Sequence, residues 1–227
     1  MMKDVSYEFK TGQELINMRK AYITHVLNHT LHYIDTIEAN DKALKTTSFV
    51  SQVYQLAKED DSESEPDEEE KQEMETHPQR ALSVDDHKDQ GFTTPRVLIL
   101  CPFRSIAYEI VHEIIHQVKR GSWKKVVKKK PFKQEYDPQS DQGVDDCFWI
   151  GIWLSEGKVH LLAPVAESQI IIASPAGLRL MSQTSDEEFN YDLLSSIEIL
   201  VMDRSEYFIY QNMEHLEDIL AHLNNVP

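Results

Sequence analysis

Two cysteines, Cys101 and Cys147, are all that the 227 residues offer. So sparse a supply excludes a disulfide framework and suits a reducing compartment. The chain also has no run of about 18 apolar residues, the length a membrane-spanning helix requires. Its first residues, Met1-Met2-Lys3-Asp4, lack the apolar core of a secretory signal. A cytosolic or nuclear protein with no membrane partner is expected. Two catalytic signatures are missing as well. Nothing matches G-x-x-x-x-G-K-[ST], the loop that cradles nucleotide phosphates, and nothing matches the G-x-S-x-G elbow of serine hydrolases. Cys101 closes an apolar run without an assigned histidine, so it is expected to be a buried structural thiol. No internal repeat is present.

What the chain does have is segregated charge. The net charge is −16. Residues 59 to 75 hold eleven acids against the single base Lys71, which accounts for most of that excess. Residues 119 to 133 carry eight bases and no acid: Lys119, Arg120, Lys124, Lys125, Lys128, Lys129, Lys130 and Lys133. Separated blocks of opposite sign indicate distinct tasks for the two segments. In the acidic block, like-charge repulsion and too little apolar surface predict a disordered linker over 41–92, most clearly over 58–92. Ser62 and Ser64 within it resemble targets of acidophilic kinases.

The apolar pattern divides the chain into three parts: 1–40, 41–92 and 93–227. Leu15, Ile16, Tyr22, Ile23, Val26, Leu27, Leu31, Ile34 and Ile37 recur at three-four spacing and predict one long amphipathic helix. Order returns at Pro95. Val97-Leu98-Ile99-Leu100-Cys101 is a short apolar strand, and a helix over 104–120 follows, ended by Gly121. Phe148 to Leu154 and Lys158 to Leu161 form a pair of strands around Glu156-Gly157. Ile170 to Ala173 is a second buried strand, after which Ser174 caps a helix that begins at Pro175. Ile197 to Met202 is a third buried strand, delivering Asp203 to its C-terminal edge, and a last helix spans about 212–224. Strands alternating with helices predict an α/β domain with a parallel sheet. An acid at such a strand end is where a nucleotide hydrolase holds magnesium. Here Arg204, Ser205 and Glu206 follow that acid.

Several phrases are specific. Pro102-Phe103-Arg104, Ser174-Pro175-Ala176-Gly177-Leu178-Arg179, and Leu194-Ser195-Ser196-Ile197-Glu198 running to Asp203 resemble, in order, motifs Ia, Ib and II of the first RecA-like domain of DEAD-box helicases. More closely, "AYITHVLNHTL", "RVLILCPFRSIAYEIV", "IIIASPAGLRLM", "DLLSSIEILVMD" and "QNMEHLEDILAHLN" resemble the digestive organ expansion factor family, also called the U3 small nucleolar RNA-associated protein 25 family. The resemblance covers most of residues 14–39 and 91–227. It implies an incomplete RecA-like domain that has lost its ATPase chemistry, with no cofactor and no metal. It also implies a nucleolar factor of the small-subunit processome that supports pre-rRNA processing, with pre-rRNA, small nucleolar ribonucleoprotein or processome proteins as partners. The family continues into a second RecA-like domain whereas this sequence stops at Pro227, so a truncated member is expected.

The candidate RNA-contacting residues are the lysines of the basic block, Lys124, Lys125, Lys128, Lys129 and Lys130. Phosphate neutralisation there releases counterions, and Trp123 or Phe132 is placed to stack on bases. Arg104 at a strand edge, and Ser174, Gly177 and Arg179 around a helix N-terminus, join them through the resemblance. The plain alternatives are, for the lysines, a solvated loop or one that docks onto the acidic tract of the same chain, and for Ser174 ordinary helix capping. Asp203, Arg204, Ser205 and Glu206 form a degenerate motif II. Two further readings stand beside this one. The first is an RNA-dependent ATPase using Asp203. The second is a zinc peptidase using His112-Glu113-Ile114-Ile115-His116, a literal H-E-x-x-H. Its only third-ligand candidate is Glu135, in a Pro-flanked stretch without helical pattern, and its histidines project away from the apolar helix face. His25, His29 and His32 on the first helix raise the same metal question, with packed or exposed histidines as the bland answer.

Overall fold

A computed structural model describes residues 11–60, 93–121, 123, 125–140, 145–182, 191–211 and 213–225. The chain divides into two compact units, Met1–Leu31 with Gly91–Pro227, and His32–Gln90. Among the described residues no helix is long and apolar enough to cross a membrane.

The first unit is an α/β sandwich. Its sheet uses β1 (Val97–Leu100), β2 (Lys125–Val127), β3 (Trp149–Ser155), β4 (Lys158–Leu161), β5 (Ile170–Ala173) and β6 (Ile199–Met202), in the order β2-β4-β3-β5-β1-β6. The parallel expectation holds for β5, β1 and β6, in the register Val97 opposite Ile170 and Ile199. It fails beyond them, because β3 pairs antiparallel with both β5 and β4, and only β2 is again parallel to β4. The reversal follows from a turn too short for a crossover helix. Glu156 at φ 50° and Gly157 at φ 69° both lie in the left-handed region, the backbone of a tight two-residue hairpin.

The helices are α1 (Gly12–Asp60), α2 (Arg104–Arg120), α3 (Lys129–Tyr136), α4 (Pro175–Ser182) and α5 (Met213–His222). One sheet face carries Leu98, Leu100, Ile171 and Ala173, and these bury against Leu178 of α4 and Leu216 and Ile219 of α5. On α2, Ala107, Ile110, Val111, Ile114, Ile115 and Val118 are buried, as the three-four pattern predicts, each removing apolar area from water at about 25 cal/mol per Å². Val97 and Ile99 alternate to that side of the sheet. α1 joins the same layer through Ile23, Val26 and Leu27, all buried.

Three expectations are corrected. First, α1 does not end near residue 40 but runs as helix to Asp60, so 41–60 is not a linker in this structure. Gln13 to Glu65 contains neither glycine nor proline, so nothing covalent interrupts the backbone once it is nucleated. Ser62, Ser64 and the acidic block beyond Asp60 lie outside the described residues. Second, β6 is not a buried strand. It is the sheet's edge, with Ile199, Leu200 and Val201 half-buried and Met202 exposed. Third, the Pro-flanked stretch around Glu135, read as lacking helical pattern, is helical: the basic block folds as β2 followed by α3. Pro131 sits in the first turn of α3, where no helical N–H bond is required, and Phe132 and Tyr136 supply its buried face.

Candidate functional site

Asp203 follows β6 at the C-terminal end of the parallel strands, as its sequence position implies. Its backbone N–H is held by the Leu100 carbonyl at 2.9 Å. Its carboxylate does not face solvent. Arg19 of α1 donates through Nε to Oδ2 at 2.8 Å and through Nη2 to Oδ1 at 3.2 Å, a two-pronged clamp. The Tyr22 hydroxyl donates to Oδ2 at 2.6 Å. The remaining prong of Arg19, Nη1, pairs with Glu109 of α2. Arg19 and Asp203 are both buried, with side chains 7% and 3% exposed. Asp203 therefore anchors a helix that arrives from far away in sequence.

The electrostatics match that geometry. Burial is the largest single influence and opposes the charge on Arg19, but the hydrogen bond to Asp203 and the charges of Asp203, Tyr22 and Glu109 together outweigh it and raise the guanidinium pKa further. Burial, reinforced by Asp203, pushes the Tyr22 hydroxyl well above its ordinary value. Burial and the same carboxylate push up the free thiol of Cys101, which is fully enclosed at the end of β1. At neutral pH the tyrosine and the thiol stay protonated, so neither supplies a base or a nucleophile.

These residues do not fit a magnesium–nucleotide complex. Both oxygens of Asp203 already accept from Arg19, one also from Tyr22, and a cation there would have to displace a buried guanidinium. The rest of the degenerate motif turns elsewhere. Arg204 sits in the left-handed region at φ 62° and opens a 3₁₀ turn, Ser205–Tyr210. It pairs with Glu206, donates to the Tyr207 hydroxyl at 2.9 Å and lies over that ring. Ser205 and Glu206 are exposed.

α1 lies along β6. Arg19 meets Asp203 past one end of the strand, and His29 Nε2 meets Glu198 at 2.6 Å before the other. Ten helical residues rise about 15 Å, and five strand residues extend about 16–17 Å, so helix and strand match in length and run in opposite directions. Between these contacts Gln117 of α2 donates to the Lys20 carbonyl at 3.0 Å and meets the Thr24 hydroxyl at 2.9 Å. Ile16, placed by its spacing on the apolar face, is 46% exposed, and Arg19 takes the buried position instead. His25 and His32 are exposed.

The residues brought forward by resemblance to the helicase motifs are spent inside the fold. Arg104 donates to Asp145 Oδ1 at 2.9 Å, to the Cys147 carbonyl at 2.8 Å and to Glu135 at 3.3 Å, with its guanidinium over Tyr136 and Phe148. It borders a cavity of about 300 Å³ rimmed by Glu135, Asp137 and Asp146. Ser174 Oγ accepts from the Gly177 N–H at 3.0 Å, the expected cap. Gly177 is required by close approach, since a Cβ there would stand 2.2 Å from the Phe148 carbonyl oxygen. Arg179 contacts His215 at 2.6 Å and Asp218 at 3.8 Å, tying α4 to α5.

The lysines differ. Lys125, Lys128, Lys129 and Lys130 are placed at the opposite sheet edge, Lys125, Lys129 and Lys130 exposed, and Lys124 lies outside the described residues. Lys128 donates to the Leu162 carbonyl at 2.9 Å. Phe132 is buried between Tyr108 and Tyr136, so it is not available to stack on bases. Of the H-E-x-x-H residues, His112 packs on Tyr108, and Glu113 accepts from Gln117 at 2.9 Å. Glu135 is committed to Arg104, and among the described residues no group of histidine, cysteine and acidic side chains is set to hold a metal.

Sequence reasoning missed Arg19. A single cation in an amphipathic helix ordinarily belongs to the solvent face. The available signal was its position one turn before Ile23 and two before Val26, inside the apolar stripe.

The comparisons agree with this architecture. A family model described as "UTP25, NTP hydrolase-like domain" matches residues 2–227. The chain is 32% identical to the U3 small nucleolar RNA-associated protein 25 homolog of Xenopus tropicalis, over 95% of this chain and 26% of the relative. It is 30% identical to the homolog of Homo sapiens, over 96% of this chain and 27% of the relative. It is also 30% identical to the U3 small nucleolar RNA-associated protein 25 of Candida tropicalis, over 99% and 29%. The chain thus spans under a third of the length of these curated relatives. No solved structure matches it. By sequence, the chain belongs to the family of the UTP25, NTP hydrolase-like domain.

Proposed function

We propose that this chain is a non-hydrolytic, ribonucleoprotein-contacting module of small-subunit ribosome biogenesis. In this reading it works in the nucleolus, within the small-subunit processome, and supports pre-rRNA processing through contacts with pre-rRNA, small nucleolar ribonucleoprotein or processome proteins. The observation that carries the non-hydrolytic part is the Arg19 clamp on Asp203. A fold related to nucleotide hydrolases has turned its strand-end acid into a structural anchor, so what remains of the scaffold is its shape and surface. The ribosomal setting is supported by relatives whose names place them with U3 small nucleolar RNA.

Direct contact with RNA falls to the basic edge. Lys125, Lys129 and Lys130 are exposed, and phosphate neutralisation by such groups releases counterions and gives salt-dependent affinity. Arg104, Ser174, Gly177 and Arg179 then act as the framework behind that surface. The test is crosslinking of the tagged chain in cells, followed by sequencing of the bound RNA and imaging of the chain. Pre-rRNA or U3 crosslinks with nucleolar accumulation are expected. Diffuse protein without such crosslinks would overturn the assignment. Nucleotide-dependent thermal stabilisation that disappears in Asp203→Ala would restore the ATPase reading.

A further inference from the structure

The two faces of the sheet are unequally covered. α4 and α5 close the face of β5, β1 and β6 that bears Ile171, Ala173, Leu98 and Leu100. Register carries that same face outward through the hairpin. Gly151 is opposite Ile171, Trp153 is opposite His160, and Val127 and Lys125 of β2 are opposite His160 and Lys158. Over Gly151 the chain at Ala163 and Ser168 crosses so closely that a Cβ would fall 2.3 Å from the Ala163 carbonyl oxygen. Past that crossing, Trp153, Lys158 and His160 are half-buried and Lys125 is exposed. The opposite face of β3 and β4 is committed to the core through Ile152, Leu154, Val159 and Leu161.

Trp153 and His160 rest against each other, ring centroids 4.6 Å apart. Cross-strand pairing of this kind adds a few tenths of a kcal/mol to about 1 kcal/mol to a sheet. That accounts for their mutual contact. It does not account for a half-exposed indole on a strand face with lysines in the neighbouring rows. Lys158 has Glu156 at 2.7 Å, an exposed pair that salt and competing anions readily weaken. Lys128 stands at the end of β2, and Lys129 and Lys130 begin α3. Cations at a helix N-terminus oppose the helix dipole, a local cost that a bound anion relieves.

We propose that the half-exposed face of β3, β4 and β2 is a platform for single-stranded RNA, with Trp153 stacking on a base and Lys125 and Lys158 holding the flanking phosphates. The inference rests on the RNA-contacting reading above and deepens it. Lysines alone hold any phosphate backbone, whereas an aromatic group on an open sheet between cations selects strands whose bases are free. Phe132 and Tyr136, the other aromatic groups of the basic segment among the described residues besides Trp123, are buried and cannot serve.

The experiment measures fluorescence anisotropy of the full chain with an oligouridine of about ten nucleotides, a length within the usual site sizes, and with a duplex RNA of equal length. Trp153→Ala is expected to weaken single-strand binding about five- to a hundredfold, the range measured when one stacked ring is removed, and to leave duplex binding unchanged. Trp153→Phe, which keeps an aromatic face, should retain most of the affinity and separates stacking from loss of fold. Lys125→Ala with Lys158→Ala should lower the salt dependence by about 0.7 for each phosphate no longer neutralised. Equal loss of single-strand and duplex binding in Trp153→Ala would overturn the platform. So would unchanged RNA affinity with loss of a protein partner. Binding that disappears only on Lys129→Glu with Lys130→Glu would also overturn it, while leaving the RNA reading intact. Absence of RNA binding by the full chain in vitro, together with absence of crosslinks in cells, would overturn both.

Discussion

The two edges of the sheet put the same elements of chemistry to opposite use. At the β6 edge, an acid meets a cation inside the protein, beneath a helix that arrives from the N-terminal side. At the β2 edge, the width of six strands away and so about 24 Å distant, cations gather on the surface without acids of their own number. Charge enclosed with its partner is structure, because each group offsets part of the other's desolvation penalty and neither is offered to a ligand. Charge left in water costs the fold little and stays free to meet phosphate.

The contrast is broken most sharply at Arg19. Arg19→Ala leaves Asp203 buried without its main partner, and an uncompensated charge of that kind costs about 3–5 kcal/mol. The loss should appear as a lower urea midpoint. Arg19→Met with Tyr22→Phe and Asp203→Leu, which removes the buried polar groups and leaves only the exposed Glu109, should recover most of it. A loss below about 1 kcal/mol for Arg19→Ala, within the ordinary range of single substitutions, would mean that the clamp does not anchor α1. Gly177→Ala comes next. Its Cβ would meet main-chain atoms of Phe148 at 2.2 and 2.3 Å, so the cost should approach about 3 kcal/mol, the upper part of the overpacking range, because backbone cannot rotate aside. Ser174→Ala removes the cap of α4 together with the long 3.4 Å bond that Oγ accepts from the Phe148 N–H, and should cost about 1–2 kcal/mol by the same measurement.

Titration offers a gentler probe of the enclosed edge. Tyr22 and Cys101 have folded-state pKa values raised by burial and by Asp203. A raised value means stability that is whole below the unfolded pKa and falls as pH climbs towards the folded one. With unfolded values of about 8.5 for cysteine and about 10 for tyrosine, the urea midpoint should hold level near neutrality and decline in alkali. Tyr22→Phe should flatten the part of the decline above about pH 10. A midpoint indifferent to alkali would show that these groups reach water in the folded state. The smallest effect belongs to the open edge. Lys129→Glu with Lys130→Glu should change stability by no more than about 0.5 kcal/mol, with a slight gain, since acids suit the first turn of α3. Those changes should nevertheless diminish RNA crosslinking, which is the sharpest separation between the two edges.

Much of the fold is legible in the sequence. Four consecutive apolar residues bounded by proline mark β1, and Ser174 followed by Pro175 marks the start of α4, because those signals act within a few residues. The hairpin at Glu156-Gly157 is legible for the same reason. The antiparallel placement of β3 between β4 and β5 is not, since local pattern cannot say which neighbour a strand will choose. The extension of α1 to Asp60 escapes because the apolar spacing weakens after Ile37, though no breaker residue stands there. At the candidate site, the helicase-like motifs identify the right strand ends but not the use made of them. Arg104 and Arg179 are satisfied by acids and ring nitrogens that only folding brings near.

The order of elements, the separation of acidic from basic segments and the absence of a phosphate loop were determined by the sequence alone, because each depends on composition or short-range spacing. That Asp203 faces Arg19, that the lysines occupy an open edge and that Trp153 is left half-exposed beside them were decided by tertiary structure. Each is a matter of which surfaces meet across long stretches of chain, and burial converts the same charged side chain from a ligand-binding group into an internal strut.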